Sequence, residues 1–494
     1  MSSPVINLFE KILSLERKSG QALYLQIAHQ IMNAIQRGVL AAEVQLPGTR
    51  VLSGLLHVHR KTIVAAYDEL LAQGWTEIIP NKGTFVAGRL PNKKPKALSQ
   101  KEKALEGYPK ETGYYFTPNR LLERTGIATK QRLEFTDGQP DIRLAPLEKL
   151  AKIYGGILKR NTNRKYIGFT DSEGNEYYRE MLALFLNNTR GLPVTAGNII
   201  TTRGTDMALY LTSDILINEG DKVIVGELSS YNTNMIFQQA GAKLVSVPVD
   251  KQGISTTAIK QICRQKKIRL LYLTPHHHYP TTVTLSTERR LELLELSERY
   301  GFIILEDDYD YDFHYHSSPL LPLASADTAG MIVYIGSFCK ALAPGFRAGY
   351  IVAPENLIRE LSKLRQIIDR QGDLLMEQAL SELLREGEIQ RHIKKAQKIY
   401  HERRDLFCAL LENNFEGLID FNKPQGGLAV WANWNDKINL LATSKACAKA
   451  GLHLPQTLLY QTEKLTATRL GFGNLEKEEM MEAVEILKKR LVLA

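Results

Sequence analysis

Cysteine is scarce: four residues in 494, at positions 263, 339, 408 and 447, with no Cys-x-x-Cys pair among them. That scatter excludes a disulfide framework and a zinc knuckle, and it fits a reducing cytoplasm. Long apolar runs are missing too, and nothing approaches the roughly 20 residues needed to cross a bilayer. The opening stretch from Met1 to Lys11 has neither the basic start nor the long apolar core of a signal peptide. A cytoplasmic protein with no membrane partner is therefore expected. There is no internal repeat. What is present is ordinary globular composition, 44% hydrophobic and 24% charged, in a chain long enough for more than one domain.

An acidic excess is also absent. The net charge is +9, and residues 1–94 hold 11 Lys/Arg against 6 Asp/Glu. The N-terminal part is thus the more basic per residue, which is compatible with a polyanion partner.

Within that basic part, Tyr24, Ile27, Ala28, Ile31 and Ile35 recur at helical spacing and predict a helix ending near Gly38. Pro47 then breaks the chain, and Thr49 is expected to cap a short helix running to about Leu56. After a tight turn at His57-Val58, a third helix starts near His59 and turns Ile63, Tyr67, Leu70 and Leu71 inward. The segments 75–79 and 84–86, separated by Pro80-Asn81-Lys82-Gly83, read as a hairpin. A helix with Arg60, Lys61 and Thr62 at its start suits a major groove, with Arg50, Lys82 and Gly83 beside phosphates. A three-helix interaction module with solvated Arg50 and Arg60 is the alternative.

From residue 89 to 132 the pattern fades into a basic, proline-punctuated linker carrying Pro91, Lys93, Lys94, Pro95, Lys96, Lys101 and Lys103. Beyond it, strand-like runs alternate with helical ones to about residue 350, the sign of a parallel α/β sheet. A smaller C-terminal α/β lobe follows, with a long helix near 355–412 and strands around 428–431 and 468–472.

The chemistry concentrates in Gly336-Ser337-Phe338-Cys339-Lys340 and the following Pro344-Gly345-Phe346-Arg347, with Glu306-Asp307-Asp308-Tyr309 upstream. An amine flanked by a hydroxyl and a guanidinium suits pyridoxal 5′-phosphate: the amine condenses with the aldehyde while the others hold the phosphate. An upstream carboxylate at a strand end can keep the pyridine nitrogen protonated. Gly204, Thr205 and Asp206 lie between a strand-like run and a helical one, where free backbone N–H groups can meet an anion. His276, His277 and His278 invite a metal reading, which is rejected because neighbours on a strand point to opposite faces. No metal is expected.

The N-terminal motifs Leu23-Tyr24-Leu25-Gln26-Ile27, Leu46-Pro47-Gly48-Thr49-Arg50, Arg60-Lys61-Thr62-Ile63 with Ala66-Tyr67, and Gly83-Thr84-Phe85-Val86 resemble the winged helix-turn-helix of GntR-type regulators. His57 and His59 depart from that pattern, standing where a glycine and a serine are usual. Residues from about 133 to 494 resemble fold-type I aminotransferases. The two together resemble the MocR subfamily of regulators. The resemblance implies an α/β fold with a winged helix-turn-helix domain over 1–88 (core about 20–88) and an aminotransferase-like domain over 133–494.

The same resemblance implies roles. Lys340 would carry the Schiff base, Asp307 the ring nitrogen and Tyr309 the ring oxygen, leaving Asp308 structural. Ser337, Arg347, Gly204, Thr205 and Asp206 would take the phosphate, with Tyr231 stacked on the ring. Tyr279 stands where true aminotransferases carry asparagine, as aromatics do in the regulators. Arg469 would fork an effector carboxylate. Phe169 stands where a tyrosine often reaches the neighbouring subunit's phosphate. The expected protein is a homodimeric, operator-binding regulator sensing an amine, an amino acid or a B6 vitamer. Two alternatives remain: a working aminotransferase carrying a DNA-binding domain, and a repressor whose lobe no longer binds cofactor.

Overall fold

A computed structural model describes residues 4–90, 110–119, 131–315 and 320–493. The chain divides into two compact units, Met1–Thr117 and Pro118–Ala494. Most of the expected linker, including Pro91 and its lysines, lies outside the described residues. No helix among the described residues is long and apolar enough to cross a membrane.

In the first unit, helices Leu23–Gln36, Thr49–Leu55 and Arg60–Ala72 are followed by the antiparallel hairpin Thr76–Ile79 and Gly83–Val86. Ile27, Ile31, Ile35, Leu52, Ile63, Tyr67 and Leu70 close one core with Trp75, since the spacing of the first seven puts them on facing helical stripes. An additional helix, Pro4–Ile12, contributes Phe9 to that core. The Tyr67 hydroxyl donates to the Pro47 carbonyl at 2.7 Å and so pins the turn ahead of the short helix.

Two local expectations change. The cap of the short helix is Gly48 rather than Thr49. Thr49 is its first residue, and its Oγ1 instead accepts from Arg60 Nε at 3.2 Å. The next helix is capped by His59, whose Nδ1 accepts from the Lys61 backbone N–H at 3.2 Å. An imidazole thus does there what a serine hydroxyl would otherwise do.

The second unit is built on a seven-stranded sheet. Its spatial order is Ile199–Thr202, Gly349–Val352, Ile332–Ser337, Ile303–Asp308, Leu270–Leu273, Lys222–Gly226 and Lys243–Val247. All neighbours are parallel except Gly349–Val352, which runs antiparallel to both of its own. Except for the edge strand Lys243–Val247, the strands are almost wholly buried and rich in Val, Ile and Leu, as expected of a sheet covered on both faces. Their carboxyl ends deliver Asp307, Ser337 and Thr202 to one edge, where ligands gather in such sheets.

A second, antiparallel sheet in the order Ile419–Phe421, Ala429–Trp434, Leu465–Gly471 and Leu459–Thr462 carries Arg469. The long helix expected near 355–412 is three helices: Glu355–Ile368, Leu374–Arg385 and Glu388–Asn414. Asp373 caps the second by accepting from the Met376 N–H, and Gly387 takes φ 69° ahead of the third. Left-handed backbone suits glycine and ends a helix.

Candidate functional site

Lys340 follows the strand Ile332–Ser337, and its Nζ lies 4.4 Å from the centroid of the Tyr309 ring. Burial lowers its pKa and Arg469 adds to the effect, against the opposing pull of Asp310, Asp137 and Asp307. A desolvated amine in such company is readier to be neutral, and so nucleophilic, than a surface lysine. Tyr309 is tied at both sides: its hydroxyl donates to the His277 carbonyl at 2.8 Å and meets an Arg469 terminal nitrogen at 3.4 Å.

Asp307 is the penultimate residue of the neighbouring strand and is buried. Its Oδ2 accepts from the Tyr272 hydroxyl at 2.8 Å, while Oδ1 has no hydrogen-bond partner among the described residues. Burial pushes its carboxyl up to about 7, opposed by the Tyr272 hydrogen bond and aided by Asp308 and Asp310. A buried carboxylate oxygen left open is costly unless something donates to it. That opening fits a protonated ring nitrogen. Asp308, by contrast, points at His276, 2.9 Å away, and accepts from the Tyr334 hydroxyl at 2.6 Å, a structural arrangement.

The anion cup forms where two chain segments approach closely. Gly204, at φ 83°, precedes helix Thr205–Leu216, and a Cβ on it would stand 3.2 Å from the Arg347 guanidinium carbon. The Arg347 guanidinium also lies 3.5 Å from Asp206. Ser337 Oγ accepts from the Cys339 N–H at 3.0 Å, which turns the chain toward Lys340. The structure thus brings Gly204, Asp206 and Arg347 together, and likewise Lys340, Tyr309, Tyr279 and Arg469. Tyr231 heads helix Tyr231–Gln239 and is half exposed. Phe169 is 72% exposed under the Arg370 guanidinium, 3.9 Å from its ring centroid.

The three histidines follow the strand Leu270–Leu273 in a loop rather than continuing it. Each takes a different partner: His276 the Leu320 carbonyl, His277 the Asp310 carboxylate and His278 the Thr281 hydroxyl. Burial, with Arg469, holds His278 down to about 4. No group of three or more ligating side chains among the described residues could hold a metal.

Four residues beyond the expected set shape the site: Tyr272, Asp310, His277 and Asp137. Tyr272 had a readable signal, being a phenol inside the otherwise aliphatic strand Leu270–Leu273, because a buried hydroxyl needs a partner. Asp137 had none, since its role depends on a strand more than 300 residues away.

In the first unit, Arg50, Arg60, Lys61, Lys82 and Gly83 are exposed and Thr62 is half-buried. Gln45 Nε2 donates to the Lys82 carbonyl at 2.6 Å, and Gly83 takes φ 117° in the hairpin turn.

The model of the aminotransferase class I and II family matches residues 134–487, and that of the bacterial regulatory proteins of the gntR family matches residues 23–86. The chain belongs to the aminotransferase class I and II family. Its N-terminal match makes it a GntR-type regulator fused to an aminotransferase-like domain, the arrangement of the MocR subfamily. The "Probable rhizopine catabolism regulatory protein MocR" of Rhizobium meliloti is 26% identical over 97% of this chain and 95% of its own length. The aromatic-amino-acid aminotransferase 1 of Thermococcus litoralis is 27% identical over 74% of this chain and 89% of its own. Among solved structures, an archaeal alanine:glyoxylate aminotransferase superposes with a TM-score of 0.68 at 30% identity, covering 73% of this chain and 90% of that one. The GntR unit implies DNA binding, and the aminotransferase fold implies pyridoxal phosphate.

Proposed function

We propose that this regulator holds pyridoxal 5′-phosphate on Lys340 and reports the arrival of a small amine, amino acid or B6 vitamer as a change in operator affinity. The observation that carries this reading is the pairing of a desolvated Lys340 amine with the open Oδ1 of buried Asp307. When bound, the cofactor supplies an electrophilic carbon that condenses reversibly with primary amines. The chain's own residues do the rest. Asp307 accepts from the ring nitrogen, and the Tyr309 phenol stands near the ring oxygen. Ser337, Arg347 and the backbone N–H groups at Gly204, Thr205 and Asp206 hold the phosphate, and Tyr231 and Tyr279 provide aromatic surface. Arg469, deeply buried, stands at the ligand side of the site with Asp137 on its Nε edge.

Arg60, Lys61 and Thr62 enter the major groove of a double-stranded operator, with Arg50, Lys82 and Gly83 on its backbone. Two copies of the chain act as a homodimer on paired half-sites. The test is borohydride reduction of the cofactor-treated full chain, followed by peptide mass mapping. A pyridoxyl label on Lys340 is expected, and a label elsewhere, or none, overturns the reading. Adding an amine and a 2-oxoacid to the same preparation separates sensing from turnover. Sustained product formation at ordinary enzymatic rates would establish the aminotransferase alternative.

A further inference from the structure

The fold holds Arg469 against a carboxylate of its own. Arg469 is 1% exposed, and each of its guanidinium nitrogens has a partner. Nε donates to Asp137 Oδ1 at 2.8 Å, one terminal nitrogen to the Pro280 carbonyl at 2.8 Å, and the other lies 3.4 Å from the Tyr309 hydroxyl. The Tyr279 ring stacks alongside, 4.9 Å from the guanidinium carbon. Asp137 is the outer member of the pair, its side chain 40% exposed against 1% for the arginine's.

The Asp137 turn is fixed from both sides. The Gly471 N–H donates to the Thr136 carbonyl at 2.9 Å, on the strand that bears Arg469. Gly138 takes φ 69°, with the Leu428 backbone 3.4 Å from where its Cβ would be. The remaining walls are aromatic: Tyr279 lies over the guanidinium, and Trp431 meets Tyr460 edge-on at 4.9 Å. This end of the site is therefore an aromatic recess whose cation is already neutralised.

We infer that Asp137 sets ligand selectivity: by occupying the Nε edge of Arg469, it makes the site favour primary amines that carry no carboxylate on the amine-bearing carbon. This deepens the proposed function and rests on cofactor being held at Lys340. An incoming carboxylate must either displace Asp137 from a buried guanidinium or settle beside a like charge, and both cost binding energy. A ligand with a hydrogen at that position leaves the pair intact and still covers the aromatic walls. Asp137 acts through Arg469, as a positioning residue, so its mark is a selectivity ratio and not a general loss of binding.

The experiment titrates the full chain, loaded with pyridoxal 5′-phosphate, with 2-phenylethylamine and with L-phenylalanine, which differ only in the carboxylate. The visible absorbance of the bound cofactor gives each apparent Kd, and thermal shift gives an independent reading. Wild type should bind the amine at least about tenfold more tightly, a ratio worth about 1.4 kcal/mol. Asp137→Asn and Asp137→Ala should each tighten L-phenylalanine by about tenfold and leave the amine within about twofold. The inference is overturned by a wild type that does not prefer the amine, which needs no variant to fold. It is equally overturned by two folded variants whose ratio stays at the wild-type value. If added cofactor gives no visible band in wild type, the Lys340 reading falls and this inference with it. A normal band with an unmoved ratio removes only the role of Asp137.

Discussion

The Tyr272 hydroxyl donates to Asp307 Oδ2 at 2.8 Å and leaves the other oxygen of that buried carboxylate without a partner among the described residues. One oxygen is thus oriented by the protein while the other is kept open, as an acceptor built for a ligand requires.

In the cofactor-free chain this arrangement costs stability at neutral pH. Burial raises the Asp307 carboxyl from 3.8 to about 7. The folded chain keeps this proton between about pH 4 and 7, where the unfolded chain has released it, so stability falls as pH rises through that window. Asp307→Asn removes the titration. Its stability relative to wild type should improve from pH 5 to pH 8 by on the order of 1–3 kcal/mol, read from urea unfolding of the cofactor-free proteins. The same variant should bind pyridoxal 5′-phosphate at least about tenfold more weakly, one good charge-assisted hydrogen bond being worth that much. A difference that ignores pH means that Asp307 titrates normally.

Lys340 and Arg60 belong to separate compact units, and their substitutions should separate accordingly. Lys340→Ala should abolish reducible cofactor attachment and leave operator affinity without ligand within about threefold, as expected of domains with their own cores. Arg60→Ala should weaken specific operator binding by about 1–3 kcal/mol and spare the cofactor spectrum. Lys82→Ala should lower affinity across all DNA sequences and reduce the salt slope by about 1. Gel shifts at several salt concentrations, run beside absorbance spectra, check all three. Parallel loss of both functions in either of the first two variants would contradict the assignment.

The sequence was most informative where structure follows from local order. The 3.6-residue period of Ile27, Ile31 and Ile35, and the Asn81-Lys82-Gly83 turn between β-prone runs, marked helix and hairpin because propensity and packing agree there. Lys340, Asp307 and Arg347 stood out in the sequence as charged groups beside strand-like runs, and the fold sets Asp307 near the end of one strand and Lys340 and Arg347 in the segment after the next. Residues 355–412 misled because Gly372 and Gly387 are small interruptions in a strongly helical pattern. A Cβ on Gly372 would meet Arg365 and Glu377 side-chain atoms at 2.7 and 2.8 Å, a tertiary fact with no local signature. The Asp137–Arg469 pair stayed hidden for the same reason.

The cap at His59 invites a gain of stability. An imidazole nitrogen accepts from the N–H two residues on, at 3.2 Å, a longer contact than a hydroxyl cap usually makes. His59→Ser restores a preferred cap and should stabilise the N-terminal unit by about 0.5–1 kcal/mol. Hydrogen exchange over residues 60–72 of the full chain is the measurement, and slower exchange is expected. Faster exchange would mean that the imidazole contributes packing beyond its cap.

Gly349 tests the anion cup without touching any charged group. It pairs across the sheet with Thr202, and a Cβ on it would stand 2.7 Å from the Gly204 Cα and from Thr202 Oγ1. One of those neighbours is backbone, held by the Thr202 hydroxyl donating to the Gly204 carbonyl at 3.0 Å, so it yields only if the whole turn moves. Moving it carries the N–H groups at the start of helix Thr205–Leu216 away from Arg347. Gly349→Ala should therefore cost about 1–3 kcal/mol of stability through overpacking, and weaken pyridoxal 5′-phosphate more than Gly345→Ala does. Gly345, on the same Lys340-to-Arg347 segment, has nothing among the described residues within 4 Å of its would-be Cβ, and makes the control. Cofactor titration of both variants decides between them: equal affinities would show that the close approach of Gly349 to Gly204 has no part in holding the phosphate.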